Sequence, residues 1–172
     1  MIPKIQKILY ATDLSLNAVY ALRYAMNSAL KHDAEIIILH VLEDVDPASR
    51  ALLEVYLDAE RHRKIIAQRA AEAQNLIAKR LATLRDKELE DHPEIADKVI
   101  AIEVCGGVPA QEILSKAEEL NCDEIIMGTH SKGFLANTFL GSTAKRVLRR
   151  TRKPVLIIPL PEGEADITSD DI

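Results

Sequence analysis

Short apolar runs alternate along the chain with longer amphipathic stretches. The first run, KILYA, is followed by SLNAVYALRYAMNSALKHD, in which Ala18, Leu22, Ala25 and Ala29 recur at 4-3-4 spacing. That spacing stacks the four on one helical face, and Ser15 stands where an N-cap belongs. EIIILHVLE comes next, an unbroken apolar run of the kind seen in strands buried on both faces of a parallel sheet. A long helical region is expected from roughly Ala48 to Glu90, with Ile66, Ala70, Ala73, Ile77, Leu81 and Leu84 on one face and charge on the other. Its weakly apolar DAERHRK portion is a candidate break. KVIAIEV predicts a third strand, and GGVPAQEILSKAEELN a turn and a helix with Pro109 in its first turn, where a missing N–H is harmless. DEIIMG, GSTAKRVLRRT and KPVLIIP continue the order as strand, helix and strand.

Strand and helix alternating in this way predict an α/β fold, a five-stranded parallel sheet flanked by helices on both faces and joined by right-handed crossovers. Ligands of such Rossmann-like sheets bind beyond the carboxyl ends of the strands, where the strand order reverses. The order is not written in the sequence. If the first and fourth strands are neighbours, ATDLS and GTHSKG open into one crevice. The length of 172 residues suits a single domain, expected over residues 1–160. Residues 161–172 carry five acids without strand or helix pattern and are expected to form a disordered tail.

Composition narrows the function classes. No apolar run approaches the length of a membrane span, and the first residues lack the apolar core of a signal peptide, so no membrane role and a cytoplasmic location are expected. A net charge of −5, no Trp and six Phe and Tyr together point away from nucleic acid. The basic stretch KRVLRRTRK, residues 145–153, reads as a solvated helix end whose cations complement the helix dipole, with an anionic partner surface as the rival reading. Cys105 and Cys122 lack CxxC spacing or a histidine cluster and read as buried or half-buried thiols.

The chemistry concentrates in GTHSKGFLANTFLGST, residues 128–143, which leaves the fourth strand and enters a helix. It holds Gly128, Gly133 and Gly141, half of the chain's six glycines, with Ser142 and Thr143 at the helix start. Such a loop offers backbone N–H groups and the positive end of a helix dipole to a phosphate. Ser142 or Thr143 can equally serve as a plain helix cap. Gly128 and Gly133 have the first spacing of a Walker loop, but Phe134 and Leu135 follow in place of Lys and Ser or Thr. GxGxxG is also missing after the first strand, which excludes the P-loop and the ordinary dinucleotide fold.

From residue 3 to residue 160 the chain resembles the universal stress protein family. The likeness rests on ATDLS after the first strand, LHVLED closing the second, GxPAQEI opening the third helix, and IIMGTHSKG…GST…KPVLIIP at the end. The family's nucleotide-binding branch carries G-x2-G-x9-G-[ST]; Gly128 and Gly141-Ser142 fit it here, and Ser131 replaces the second glycine. The resemblance implies an adenine nucleotide α-hydrolase-like fold and a site for ATP or a related adenine nucleotide, with Mg2+ as an optional companion. In that site Ala11, Thr12, Asp13 and Val41 would lie near base and ribose. Met127, Gly128, His130, Ser131, Lys132 and Gly133 would lead over ribose and phosphates, and Gly141, Ser142 and Thr143 would bind phosphate. Ala11 stands where nucleotide-binding relatives often have proline.

Ser131 sets two opposed terms against each other. In a left-handed backbone serine costs roughly 1–2 kcal/mol relative to glycine. Its hydroxyl hydrogen-bonded to a phosphate returns roughly 1.5–3 kcal/mol. His130 as a general base and Lys132 as a phosphate clamp compete with plain solvent-facing roles. With no Walker lysine, acidic metal cluster or nucleophile–base pair, the implied role is a nucleotide-dependent switch with at most slow hydrolysis. Two rivals are a nucleotide-free interaction module that recruits an unidentified protein partner, and a transferase of the wider α-hydrolase group. The resemblance also implies a homodimer through the last strand, Pro154, Val155, Leu156, Ile157 and Ile158, which would otherwise be a bare apolar edge.

Overall fold

The structure, a computed structural model, describes residues 2–43, 59–88, 94–129 and 140–159. Each predicted apolar run inside these ranges is a strand: β1 (Lys7–Thr12), β2 (Glu35–Glu43), β3 (Val99–Gly107), β4 (Glu124–Gly128) and β5 (Val155–Ile158). All neighbours pair in parallel, in the order β3-β2-β1-β4-β5. The order therefore reverses between β1 and β4, which meets the condition that the first and fourth strands be neighbours; of GTHSKG only Gly128 and Thr129 lie within the described residues.

Alternation along the strands divides the core in two. Ile8, Tyr10, Ile36, Ile38, Ile126 and Ile158 face α1 (Leu16–His32), α2 (Ala59–Glu88) and the one-turn α3 (Glu94–Asp97). Leu9, Ala11, Ile37, Leu39, Ile125 and Met127 face α4 (Pro109–Glu119) and α5 (Ser142–Arg150). Both faces of the central strands are thus covered, which is why these strands read as continuous apolar runs. Ser15 caps α1 as its position implies, its hydroxyl accepting from the Ala18 N–H. Pro109 occupies the first turn of α4.

Three local expectations change. From Ala59 onward α2 runs through RHRK without a break; the expected start near Ala48 lies outside the described residues. Only its C-terminal half is packed, with Ala73 and Ile77 buried while Ile66 is 37% exposed. β3 continues through Gly106 and Gly107, which pair with Leu42 and Glu43, where the sequence suggested a turn. Gly107 sits at φ +148°, a conformation that favours glycine, and a Cβ there would also stand 2.7 Å from Glu112 Oε1 and displace that side chain. The third, α3, was not foreseen; it is too short for periodicity and is held by buried Ile95.

Candidate functional site

At the carboxyl edge of the sheet, where β1 and β4 diverge, lies a crevice of about 520 Å³. That is within the roughly 300–1,000 Å³ of small-molecule pockets. The pairing register sets its floor. Leu39, Ala11 and Met127 are cross-strand neighbours on the α4–α5 side of the sheet, with Val41 one alternation beyond Leu39. Pro109 and Ile113 of α4 form one wall and Gly141–Ala144 of α5 the other.

The turn after β1 is built by its own side chains. Thr12 Oγ1 accepts from the Leu14 N–H at 3.2 Å, and Asp13 Oδ1 accepts from the Ser15 N–H at 2.9 Å. These bonds hold Leu14 at φ 63°, a left-handed conformation leucine rarely adopts. Arg80 of α2 reaches across and donates to the carbonyls of Leu14 at 2.8 Å and Ser15 at 3.5 Å. Burial pushes its guanidinium below the usual arginine range. The Tyr10 hydroxyl donates to the Ala18 carbonyl beneath the turn. Asp13 is therefore a helix-entry residue and a lining residue of the crevice at once.

On the β4 side the backbone closes a frame. Thr129 donates its N–H to the Ile158 carbonyl at 3.1 Å and accepts from the Gly141 N–H at 2.8 Å. Gly141 is the N-cap of α5 and no side chain caps this helix, so neither Ser142 nor Thr143 takes the plain capping role. The first-turn N–H groups of an α-helix have no intrahelical acceptor. Here that turn lines the crevice, an edge receptive to an anion. Gly128 tells the same story by a different route. A Cβ built on it meets no atom of the described residues within 4 Å and its backbone is not left-handed, so nothing among the described residues demands glycine there. It also lines the crevice.

Of the residues singled out from sequence, Ala11, Thr12, Asp13, Val41, Met127, Gly128, Gly141, Ser142 and Thr143 all line this one crevice. His130, Ser131, Lys132 and Gly133 lie outside the described residues. Sequence reading missed His40, Glu43, Arg69, Pro109, Ile113 and Thr129. His40 Nδ1 lies 2.9 Å from the Thr12 carbonyl, tying β2 to the same turn. Thr129, Pro109 and Ile113 follow strand ends and were open to the same carboxyl-end reasoning. Arg69, from the middle of a helix, had no such signal. Among the described residues no group of three or more His, Cys, Asp or Glu is disposed to hold a metal, and no helix is long and apolar enough to cross a membrane.

An open parallel sheet with a crevice of small-molecule size at its switch point, floored by apolar strand ends and walled by an uncapped helix N-terminus, is an α/β domain of the Rossmann-like class. Within that class the chain belongs to the universal stress protein family, whose family model matches residues 4–159. It is 33% identical over 156 residues to Universal stress protein MJ0577 of Methanocaldococcus jannaschii, covering 89% of this chain and 94% of that one. A solved structure of MJ0577 matches with a TM-score of 0.71 at 28% identity, over 94% of this chain and 100% of that chain. The fold recurs in a universal stress protein from Archaeoglobus fulgidus solved in complex with dAMP, with a TM-score of 0.53 at 17% identity over 91% of this chain and 98% of that one. It recurs again in a universal stress protein solved in complex with cAMP, with a TM-score of 0.52 at 19% identity over 91% and 98% of the two chains.

Proposed function

We propose that the crevice binds an adenine nucleotide, ATP or a close relative, and that its occupancy acts as a switch in a homodimer rather than driving rapid turnover. The observation that carries this reading is Gly128. It is a glycine that no described part of the fold requires, and it lines the crevice. Family membership and the adenine nucleotides in two proteins of the same fold support the choice of ligand.

The residues suit the parts of such a ligand. Ala11, Leu39, Val41 and Met127 offer an apolar floor to the base. Asp13, whose Oδ1 is engaged by Ser15, keeps Oδ2 for a ribose hydroxyl. Gly128 permits close backbone approach, and the first-turn N–H groups of α5 with the hydroxyls of Ser142 and Thr143 would hold phosphate. Mg2+, where used, would arrive with the nucleotide. The bound nucleotide supplies a charged phosphate tail whose presence or absence this edge can sense. Dimerisation rests on β5. Among the described residues it is paired on one side only, by β4, and exposes 38% of Leu156, an apolar edge that a second copy would cover.

The deciding experiment denatures freshly purified protein and identifies the released nucleotide by chromatography and mass. ATP or ADP near one per chain is expected. An empty protein that also fails to take up ATP at about millimolar concentration, a free energy near −4 kcal/mol, overturns the reading.

A further inference from the structure

Charge along the chain is segregated. Residues 125–161 contain seven Lys and Arg and no Asp or Glu, although the whole chain carries −5. Four of the seven lie on α5, whose inner face buries Ala144 and Val147. Lys145 and Arg149, and Arg146 and Arg150, form two adjacent i,i+4 rows on its exposed face. Like charges at this spacing repel one another and destabilise a helix. Lys153 reaches Glu118 at 3.5 Å. Lys145, Arg146, Arg149 and Arg150 have no acidic partner among the described residues. Dipole complementation accounts for Arg149 and Arg150 in the last turn. It does not account for Lys145 and Arg146, which stand in the N-terminal half of the helix.

The complementary charge is close in sequence. Glu162, Glu164, Asp166, Asp170 and Asp171 follow β5. The point of departure is fixed, because Ile158 and Gly141 are both hydrogen-bonded to Thr129, so the chain leaves β5 beside the start of α5. With nine residues α5 is about 14 Å long. An extended chain covers about 3.3 Å per residue, so the segment from 160 to 172 reaches every cation on that face. Tethering at this distance gives an effective concentration of about millimolar.

We infer that the acidic segment 162–172 docks in cis on the basic face of α5, pairing with Lys145, Arg146, Arg149 and Arg150 and shielding that face from other polyanions. Zero-length carbodiimide coupling of the intact chain, read by mass spectrometry, tests the contact directly. Amide bonds from the segment's carboxylates are expected at Lys145 at least tenfold more often than at Lys4, Lys31, Lys64 or Lys79, and salt at about 0.5 M should abolish that preference. Mixing unlabelled and 15N-labelled chains separates cis from trans. Coupling spread evenly over the lysines, coupling directed to Lys132 of the glycine-rich loop, or coupling only between chains overturns the inference. Retention on an immobilised sulfated polysaccharide gives the second readout. The intact chain should flow through, whereas the Glu162→Gln, Glu164→Gln, Asp166→Asn, Asp170→Asn, Asp171→Asn chain should be retained, and adding Arg149→Glu with Arg150→Glu should release it. Retention unchanged by neutralising the segment, or surviving the two Arg→Glu changes, counts against shielding.

Discussion

Replacing Gly128 by alanine separates a glycine kept for the ligand from one kept for the fold. In the unliganded chain the added methyl meets no atom of the described residues within 4 Å, and the backbone is outside the left-handed region. Alanine therefore adds no clash and restricts the unfolded chain, which raises stability by roughly 0.4–1 kcal/mol. On the proposed reading the same methyl takes up space that the ligand uses. Inserting a methyl into a filled site costs roughly 1–3 kcal/mol, or about 5- to 150-fold in affinity at 1.4 kcal/mol per decade. Gly107→Ala is the control. It places Cβ 2.7 Å from Glu112 Oε1 at φ +148°, so it should lose about 1–3 kcal/mol of stability. Gly107 is absent from the crevice lining, so nucleotide affinity should hold. Urea unfolding and calorimetric titration with ATP measure both quantities on each variant. Unchanged ATP affinity in a folded Gly128→Ala protein would refute the cradle, as would a loss of stability comparable to that of Gly107→Ala.

Arg80→Met removes the donor to the Leu14 and Ser15 carbonyls while keeping most of the packing, and should cost roughly 1.5–3 kcal/mol in urea unfolding. Because that turn presents Asp13, ATP affinity should fall in the same variant, measured by titration at a temperature where it remains folded. Burial pushes the Cys122 thiol from 9.0 up to about 11 and raises the Tyr10 phenol too. The folded chain thus keeps protons that the unfolded chain has already lost. Stability should be intact below pH 9 and fall by roughly 3 kcal/mol towards pH 11 for Cys122 alone, with a shallower fall in Cys122→Ala. Leu156→Lys places a charge on the exposed β5 edge and should convert a dimer into a monomer by light scattering; an unchanged mass would move the interface elsewhere.

What could be read from sequence followed burial. Strands covered on both faces must be apolar throughout, so EIIILHVLE coincides with β2 to the residue. The half-packed α2 behaved differently. Its apolar spacing continued into a portion where Ile65 and Ile66 are exposed, because periodicity records a possible face and not a covered one. The neighbourhood of β1 and β4 was only conditional, since strand order is decided by packing between distant segments. Once the order is known, most of the crevice follows from one rule about carboxyl ends, and Thr129, Pro109 and Ile113 fall under it. Arg69 does not, because only the path of α2 brings it to the edge.

The same separation clarifies Ser131. Gly141 is held to Thr129, and Thr129 to Ile158, by backbone bonds that involve no residue between 130 and 140. The site's fixed parts, the floor on β1, β2 and β4 and the N-terminus of α5, are therefore assembled by the sheet itself. An exchange of glycine for serine at position 131 therefore touches none of the backbone bonds that assemble this edge. This is why a family member can depart from the glycine pattern at that position and still keep the rest of the crevice in register. Gly128 belongs to the sheet-built part and no described residue requires it to be glycine, so it is the position at which the proposed ligand is best tested.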